Sequence, residues 1–206
     1  MQKFLKPLVF VVLLGPALWW AYIIWRAYQG DVAYLGPDPP KMLELVSGEW
    51  AIRMLMLSLA VTPLRYLLNA PYLWRLRRMV GLYAFFYVSL HFLVFVLLLL
   101  ELDFSALAKE LSERPYITLG FMAWTILFLL AVTSFNRAQR WLGRHWKRLH
   151  RGVYVAGVLA VMHLIWIVRS DFGEALLYLA IVAALLIYRA LHKFIPGVRQ
   201  FVLFKP

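Results

Sequence analysis

The sequence contains no cysteine, which removes disulfides, thiolate catalysis, cysteine-held iron–sulfur clusters and c-type haem attachment together. Any metal must then be held by histidine. Charge is also scarce: Asp, Glu, Lys and Arg make up 16% of the 206 residues, and only ten of them are acidic. No Gly-x-Gly-x-x-Gly run occurs, so no dinucleotide-binding strand–turn–helix is signalled. Apolar residues dominate instead, at 64% of the chain with a mean hydropathy of +0.73. Several runs reach the about 20 residues a helix needs to cross roughly 30 Å of hydrocarbon.

The chain therefore reads as an all-α membrane protein, a bundle of six transmembrane helices at about 7–28, 49–68, 79–100, 117–135, 150–169 and 173–191. Six spans and their short connections use almost the whole length, so no soluble catalytic domain is expected beside them. The first span follows Lys3 and Lys6 as a signal peptide would. It is too long and too Trp-rich for one, with no small-residue cleavage site, and is read as a helix.

The 22 Lys and Arg residues are not scattered. Sixteen of them fall at the N-terminus (Lys3, Lys6), in the second connection (Arg65, Arg75, Arg77, Arg78), in the fourth (Arg137, Arg140, Arg144, Lys147, Arg148, Arg151) and in the tail (Arg189, Lys193, Arg199, Lys205). The alternate connections hold Asp31, Asp38 and Glu44, then Glu101, Asp103, Glu110 and Glu113, then Asp171 and Glu174. The positive-inside rule puts both termini in the cytoplasm. The net charge of +12 is accounted for by topology and contact with anionic lipid, and it does not call for nucleic acid.

Two histidines lie deep in apolar segments. His91 in the third span and His163 in the fifth each follow an arginine cluster, in Arg77-Arg78-Met79-Val80-Gly81-Leu82-Tyr83 and His150-Arg151-Gly152-Val153-Tyr154. These spans run in the same direction. From the aligned glycines the histidines lie ten and eleven residues on, so their depths agree to about one 1.5 Å residue rise. They are placed to face each other and share one metal. The alternative is two unrelated histidines bonded to backbone or serine, for instance Ser89 or Ser58. No carboxylate lies at that depth, and two imidazoles alone make a poor zinc or iron site. A porphyrin brings four ligands of its own, so bis-histidine haem b is the economical reading, with chemistry limited to electron transfer.

His150 is a third candidate, thirteen residues or about 20 Å before His163. On an ideal helix the two rings point about 140° apart, so a shared face needs tilt or a helix irregularity. Its neighbours at that depth on the third span are Arg77 and Arg78, suited to a haem propionate or flavin phosphate rather than to iron. His145 and His192 read as interfacial residues among lysines and arginines. The segments Gly48-Glu49-Trp50-Ala51, Val61-Thr62-Pro63-Leu64-Arg65, Leu76 to Tyr83 with His91, Arg114-Pro115-Tyr116-Ile117-Thr118, and Trp146 to Arg151 with His163 resemble the MsrQ family, also called YedZ, in the ferric reductase-like transmembrane superfamily.

The resemblance runs from about residue 7 to 195. It implies one ferric reductase-like cytochrome b domain over 1–206, in the bacterial inner membrane, that also uses FMN. It further implies electrons taken from the quinone pool or a cytosolic flavin reductase and passed to the periplasmic molybdenum subunit MsrP, which repairs oxidised methionine. The family's haem histidines carry over onto His91, His150 and His163. Larger relatives in the superfamily place two histidines on each ligating helix and append a flavin–nicotinamide domain. Here the third span holds one histidine, which puts a second haem and direct NADPH oxidation in doubt. Competing functions are a stand-alone quinol-oxidising or ferric-reducing cytochrome b and a haem-free transporter with proton-relay histidines. The connections on the acidic side are too short for a protein-substrate pocket, so the chain is expected to deliver electrons, with Asp103, Glu110, Glu113 and Arg114 as rim contacts for a partner.

Overall fold

The computed structural model describes residues 2–168, 170 and 172–194; Asp171, Arg199 and Lys205, counted above for topology, lie outside them. The described residues form nine α-helices: α1 (Gln2–Tyr28), α2 (Pro39–Leu67), α3 (Arg77–Val94), α4 (Phe104–Glu113), α5 (Pro115–Val132), α6 (Asn136–Leu142), α7 (Arg144–Leu149), α8 (Gly152–Ile167) and α9 (Gly173–Phe194). A 3-10 turn, Pro71–Leu76, leads into α3, and a π turn, Phe95–Leu99, ends it. Six stretches are long and apolar enough to cross a membrane. The protein is a multi-pass membrane protein.

Large exposed apolar side chains such as Phe4, Leu8, Trp19, Trp25 and Trp166 suit a surface that faces lipid rather than water. The interior is built around α2. Half of its most apolar 18-residue window is buried, against 6–22% for the other five spans, so α2 is the bundle's central post. Leu55 and Leu59 from α2, Ala84 from α3, and Ala156 and Val161 from α8 form the most enclosed part of the core. Small residues there let backbones approach closely, which is how helices associate when lipid supplies no hydrophobic drive.

Helix α2 begins ten residues before the expected span. Asp38 caps it by accepting from Lys41 N at 3.1 Å, with Pro39 and Pro40 opening the first turn, where a missing N–H costs nothing. Lys41 and Glu44 depress hydropathy in this turn but pair with each other at 2.6 Å. The acidic connection after α3 is also more ordered than a loop. Asp103 Oδ1 accepts from Ser105 N, Ser105 Oγ and Ala106 N and starts α4. The Ser105 hydroxyl, aided by those backbone N–H groups, holds the Asp103 carboxyl below the usual carboxylate range. On the first acidic connection, between α1 and α2, the Arg26 guanidinium does the same for Asp31.

The outermost span, α1, is docked by hydroxyls. Tyr83 OH donates to Phe10 O at 2.9 Å, and Tyr87 OH donates to Leu13 O at 2.7 Å while accepting from Ala17 N at 3.2 Å. Tyr87 thus bridges a carbonyl and an N–H one helical turn apart on α1. In hydrocarbon such bonds have no competing water.

Candidate functional site

The structure brings His91 and His163 together. Their ring centres lie 6.4 Å apart with planes at 70°, on parallel helices α3 and α8. Neither ring is free to turn. Ser47, 2% exposed, donates its hydroxyl hydrogen to Glu44 O at 2.9 Å. Its oxygen is left to accept from His91 Nδ1 at 3.0 Å. His163 Nδ1 lies 2.6 Å from Tyr116 O, and a carbonyl can only accept, so this nitrogen carries the proton. Both Nδ1 atoms are spoken for, which leaves both Nε2 lone pairs directed elsewhere. This is the tautomer that second-shell bonds impose on metal-binding histidines.

Two glycines make room for the rings. A Cβ at Gly120 of α5 would lie 2.9 Å from His163 Cε1 and Nδ1, and one at Gly48 of α2 would lie 3.3 Å from His91 Cε1. Each ring therefore packs on bare backbone. The spacing can be tested against a bound metal. Two imidazole nitrogens at about 2 Å from one ion, plus roughly 1 Å from each nitrogen to its ring centre, separate the centres by about 6 Å. The observed spacing of 6.4 Å matches that separation, and imidazole nitrogens are the donors that a haem iron takes from a protein. Among the described residues no group of three or more His, Cys, Asp or Glu could hold an ion by itself. The serines weighed as partners do other things: Ser89 Oγ accepts from Trp124 Nε1 at 3.2 Å, and Ser58 lines a cavity elsewhere.

That cavity, about 580 Å³, opens at the basic end of the bundle, and His150, Arg77 and Arg78 all line it. His150 stands in the break between α7 and α8, so the ideal-helix azimuth does not govern its direction. Its ring stacks on Trp146 at 4.0 Å, and its Nε2 lies 3.2 Å from Thr133 Oγ1. Arg78 donates to Asn136 Oδ1 at 3.1 Å, tying the two basic connections together, and Arg77 lies over Trp74 at 5.1 Å. His192 packs against Tyr66 and Tyr188 and is not part of the lining. Neither His91 nor His163 touches this cavity. Two centres result: a buried histidine pair towards the acidic end and an arginine-rich cavity at the basic end.

Sequence reasoning missed Ser47, Gly120, Tyr116 as a carbonyl acceptor, and Arg189, which lines the cavity from α9. Comparison with known proteins adds to this geometry. The family model for the ferric reductase like transmembrane component matches residues 47–161, from Ser47 through His91 and His150 to a point two residues short of His163. A protein of Xanthomonas euvesicatoria pv. vesicatoria (strain 85-10), the protein-methionine-sulfoxide reductase heme-binding subunit MsrQ, is 43% identical over 188 residues, which is 91% of this chain and 86% of the relative. The protein of the same name from Bordetella pertussis (strain Tohama I) is 43% identical over 187 residues, 90% of this chain and 88% of its own.

The chain belongs to the MsrQ family. Membership spans all six membrane helices, since each alignment covers nine-tenths of the chain. No solved structure matches this MsrQ family member.

Proposed function

We propose that this MsrQ family member is the haem-binding membrane subunit of a methionine sulfoxide reductase system, and that it carries electrons rather than performing the reduction. The observation that carries the proposal is the His91–His163 pair, 6.4 Å between ring centres with both Nδ1 atoms engaged. His91 and His163 would hold one haem b through Nε2. Bound there, haem would supply a one-electron carrier. The chain's residues do the rest. Ser47 and the Tyr116 carbonyl hold the rings in the ligating tautomer. Gly48 and Gly120 let them sit close to the backbone, and the six helices exclude water.

The basic end is cytoplasmic by the positive-inside rule, so the histidine pair lies towards the periplasm. From that depth to His150 is thirteen residues of chain, about 20 Å, long enough that a second carrier is useful. The basic cavity is that carrier's seat, with Arg77 and Arg78 for a propionate or phosphate and His150 against its ring system. Candidates are a second haem, FMN or a quinone. If His150→Ala left haem content, flavin content and electron flow all intact, His150 would be merely interfacial. The donor is the quinone pool or a cytosolic flavin reductase, and the acceptor is the periplasmic MsrP. Helix α4 and its flanks offer Asp103, Glu110, Glu113 and Arg114 as the rim that meets it.

The test reconstitutes the chain in liposomes with an electron donor inside and methionine sulfoxide outside, with and without MsrP. Sulfoxide reduction that requires MsrP is the expected result. Reduction by this chain alone would overturn the proposal.

A further inference from the structure

Helix α2 carries Pro63 in its interior. A proline has no N–H, so the carbonyl four residues earlier, at Leu59, loses its helical partner. Leu59 lies eight residues inside the end of α2, about 12 Å from it, at the inner wall of the basic cavity. Arg189 of α9 supplies the missing donor across the bundle, with Nη2 2.6 Å from Leu59 O. The same guanidinium lies over the Tyr154 ring of α8 at 4.5 Å. An arginine five residues, about one and a half turns, inside the basic end of a membrane helix ordinarily snorkels outward. This one is turned inward by the carbonyl that Pro63 frees.

Being turned inward makes Arg189 part of the basic cavity. Arg77, Arg78, Lys147 and Arg151 also line it, and no Asp or Glu does among the described residues. Among those residues Arg189 has no carboxylate partner, and its Nε finds no hydrogen-bond acceptor. A guanidinium has five N–H groups, and the Leu59 carbonyl takes one. Arg77 and Arg189 are half-buried in the cavity wall while Arg78, Lys147 and Arg151 are exposed at its rim, and a cleft lined by one sign of charge attracts anions. Trp74, Trp146 and Tyr154 give the cavity flat walls.

Resting on the reading of this cavity as a cofactor seat, we infer that Arg189 is an anion-binding residue of that seat. It takes the phosphate or carboxylate oxygens of a planar cofactor, and the Leu59 carbonyl aims it. The topological signal of sixteen basic residues hid it, because charge counting treats Arg189 as one more cytoplasmic cation.

The test must separate recognition from the structural bond to Leu59. Pro63→Ala restores an N–H for Leu59 O, so Arg189→Gln made in that background removes the charge without orphaning a carbonyl. Purified full-length protein is titrated with FMN and riboflavin, which differ by a phosphate. Haem bound beyond the first per chain is compared with the dimethyl ester of the same porphyrin, which lacks the carboxylates. Arg189→Gln should weaken the anionic member of one pair about tenfold or more, the size of a lost charge-assisted hydrogen bond. Its neutral counterpart should change little, and Arg189→Lys should retain most of the affinity.

Equal weakening of charged and neutral members would overturn the inference. So would unchanged affinity for both, or no binding of any probe by the unmodified protein. The absorption spectrum of the His91–His163 haem is read on the same samples. A protein that lacks that spectrum yet loses anion affinity on Arg189→Gln would contradict the proposed haem and support the role of Arg189.

Discussion

Replacing Gly120 by alanine tests the histidine pair through its packing. The new methyl would lie 2.9 Å from His163 Cε1 and Nδ1, where ordinary contact begins near about 3.4 Å. The ring must move by about half an ångström or more, away from a Tyr116 carbonyl that its Nδ1 meets at 2.6 Å. Overpacking of this kind costs about 1–3 kcal/mol, and weakening a buried hydrogen bond adds about 1 kcal/mol or more. Alanine returns only about 0.5–1 kcal/mol by its better helix propensity. The net loss is roughly 2 kcal/mol, equivalent to about thirtyfold weaker haem retention.

Two further variants calibrate it. A Cβ at Gly48 meets His91 Cε1 at 3.3 Å, so Gly48→Ala should be milder. At Gly157 the overlap is again 2.9 Å, but with Leu59 Cδ1, the end of a flexible side chain. Gly157→Ala should therefore alter thermal stability without changing the haem spectrum. Haem retention and the low-spin absorption bands are measured on the three purified variants. Unchanged retention in Gly120→Ala, or a larger loss in Gly48→Ala than in Gly120→Ala, would refute the packing argument.

Ser47→Ala removes the acceptor for His91 Nδ1, which frees the ring to rotate. It should shift the haem midpoint potential and broaden the electron paramagnetic resonance signal of the oxidised protein, and an unaltered signal would show the serine idle. Asp103 has a folded-state pKa below its unfolded value, so its capping of α4 is fully present above the ordinary carboxylate pKa and is lost as pH falls through the lowered one. Amide exchange in α4 should accelerate over that acidic range, and Asp103→Asn, which also caps, should abolish the pH dependence.

Much of this arrangement was legible in the sequence because membrane helices obey few rules. Span count followed from hydropathy, and the meeting of His91 with His163 followed from matched depth on parallel helices. The start of α2 was hidden because Lys41 and Glu44 lower local hydropathy, although Asp38-Pro39-Pro40 is itself a start signal. Helix α4 was hidden for the same reason, its polarity outweighing the Asp103 cap. Ser47 could not be found by spacing, since it reaches His91 across 44 residues of chain. The deep serines that were weighed, Ser58 and Ser89, lie on the wrong faces. His150 escaped the azimuth argument because α7 and α8 are separate helices, and the direction of its ring is a property of the break between them.

The most direct measurement is the reduced-minus-oxidised absorption spectrum of the purified protein beside its His91→Ala and His163→Ala variants. If the two histidines hold one haem, the unmodified protein shows low-spin b-type bands and each single variant loses the bis-histidine form. Absence of haem bands in the unmodified protein, or full bands in either variant, would contradict the account.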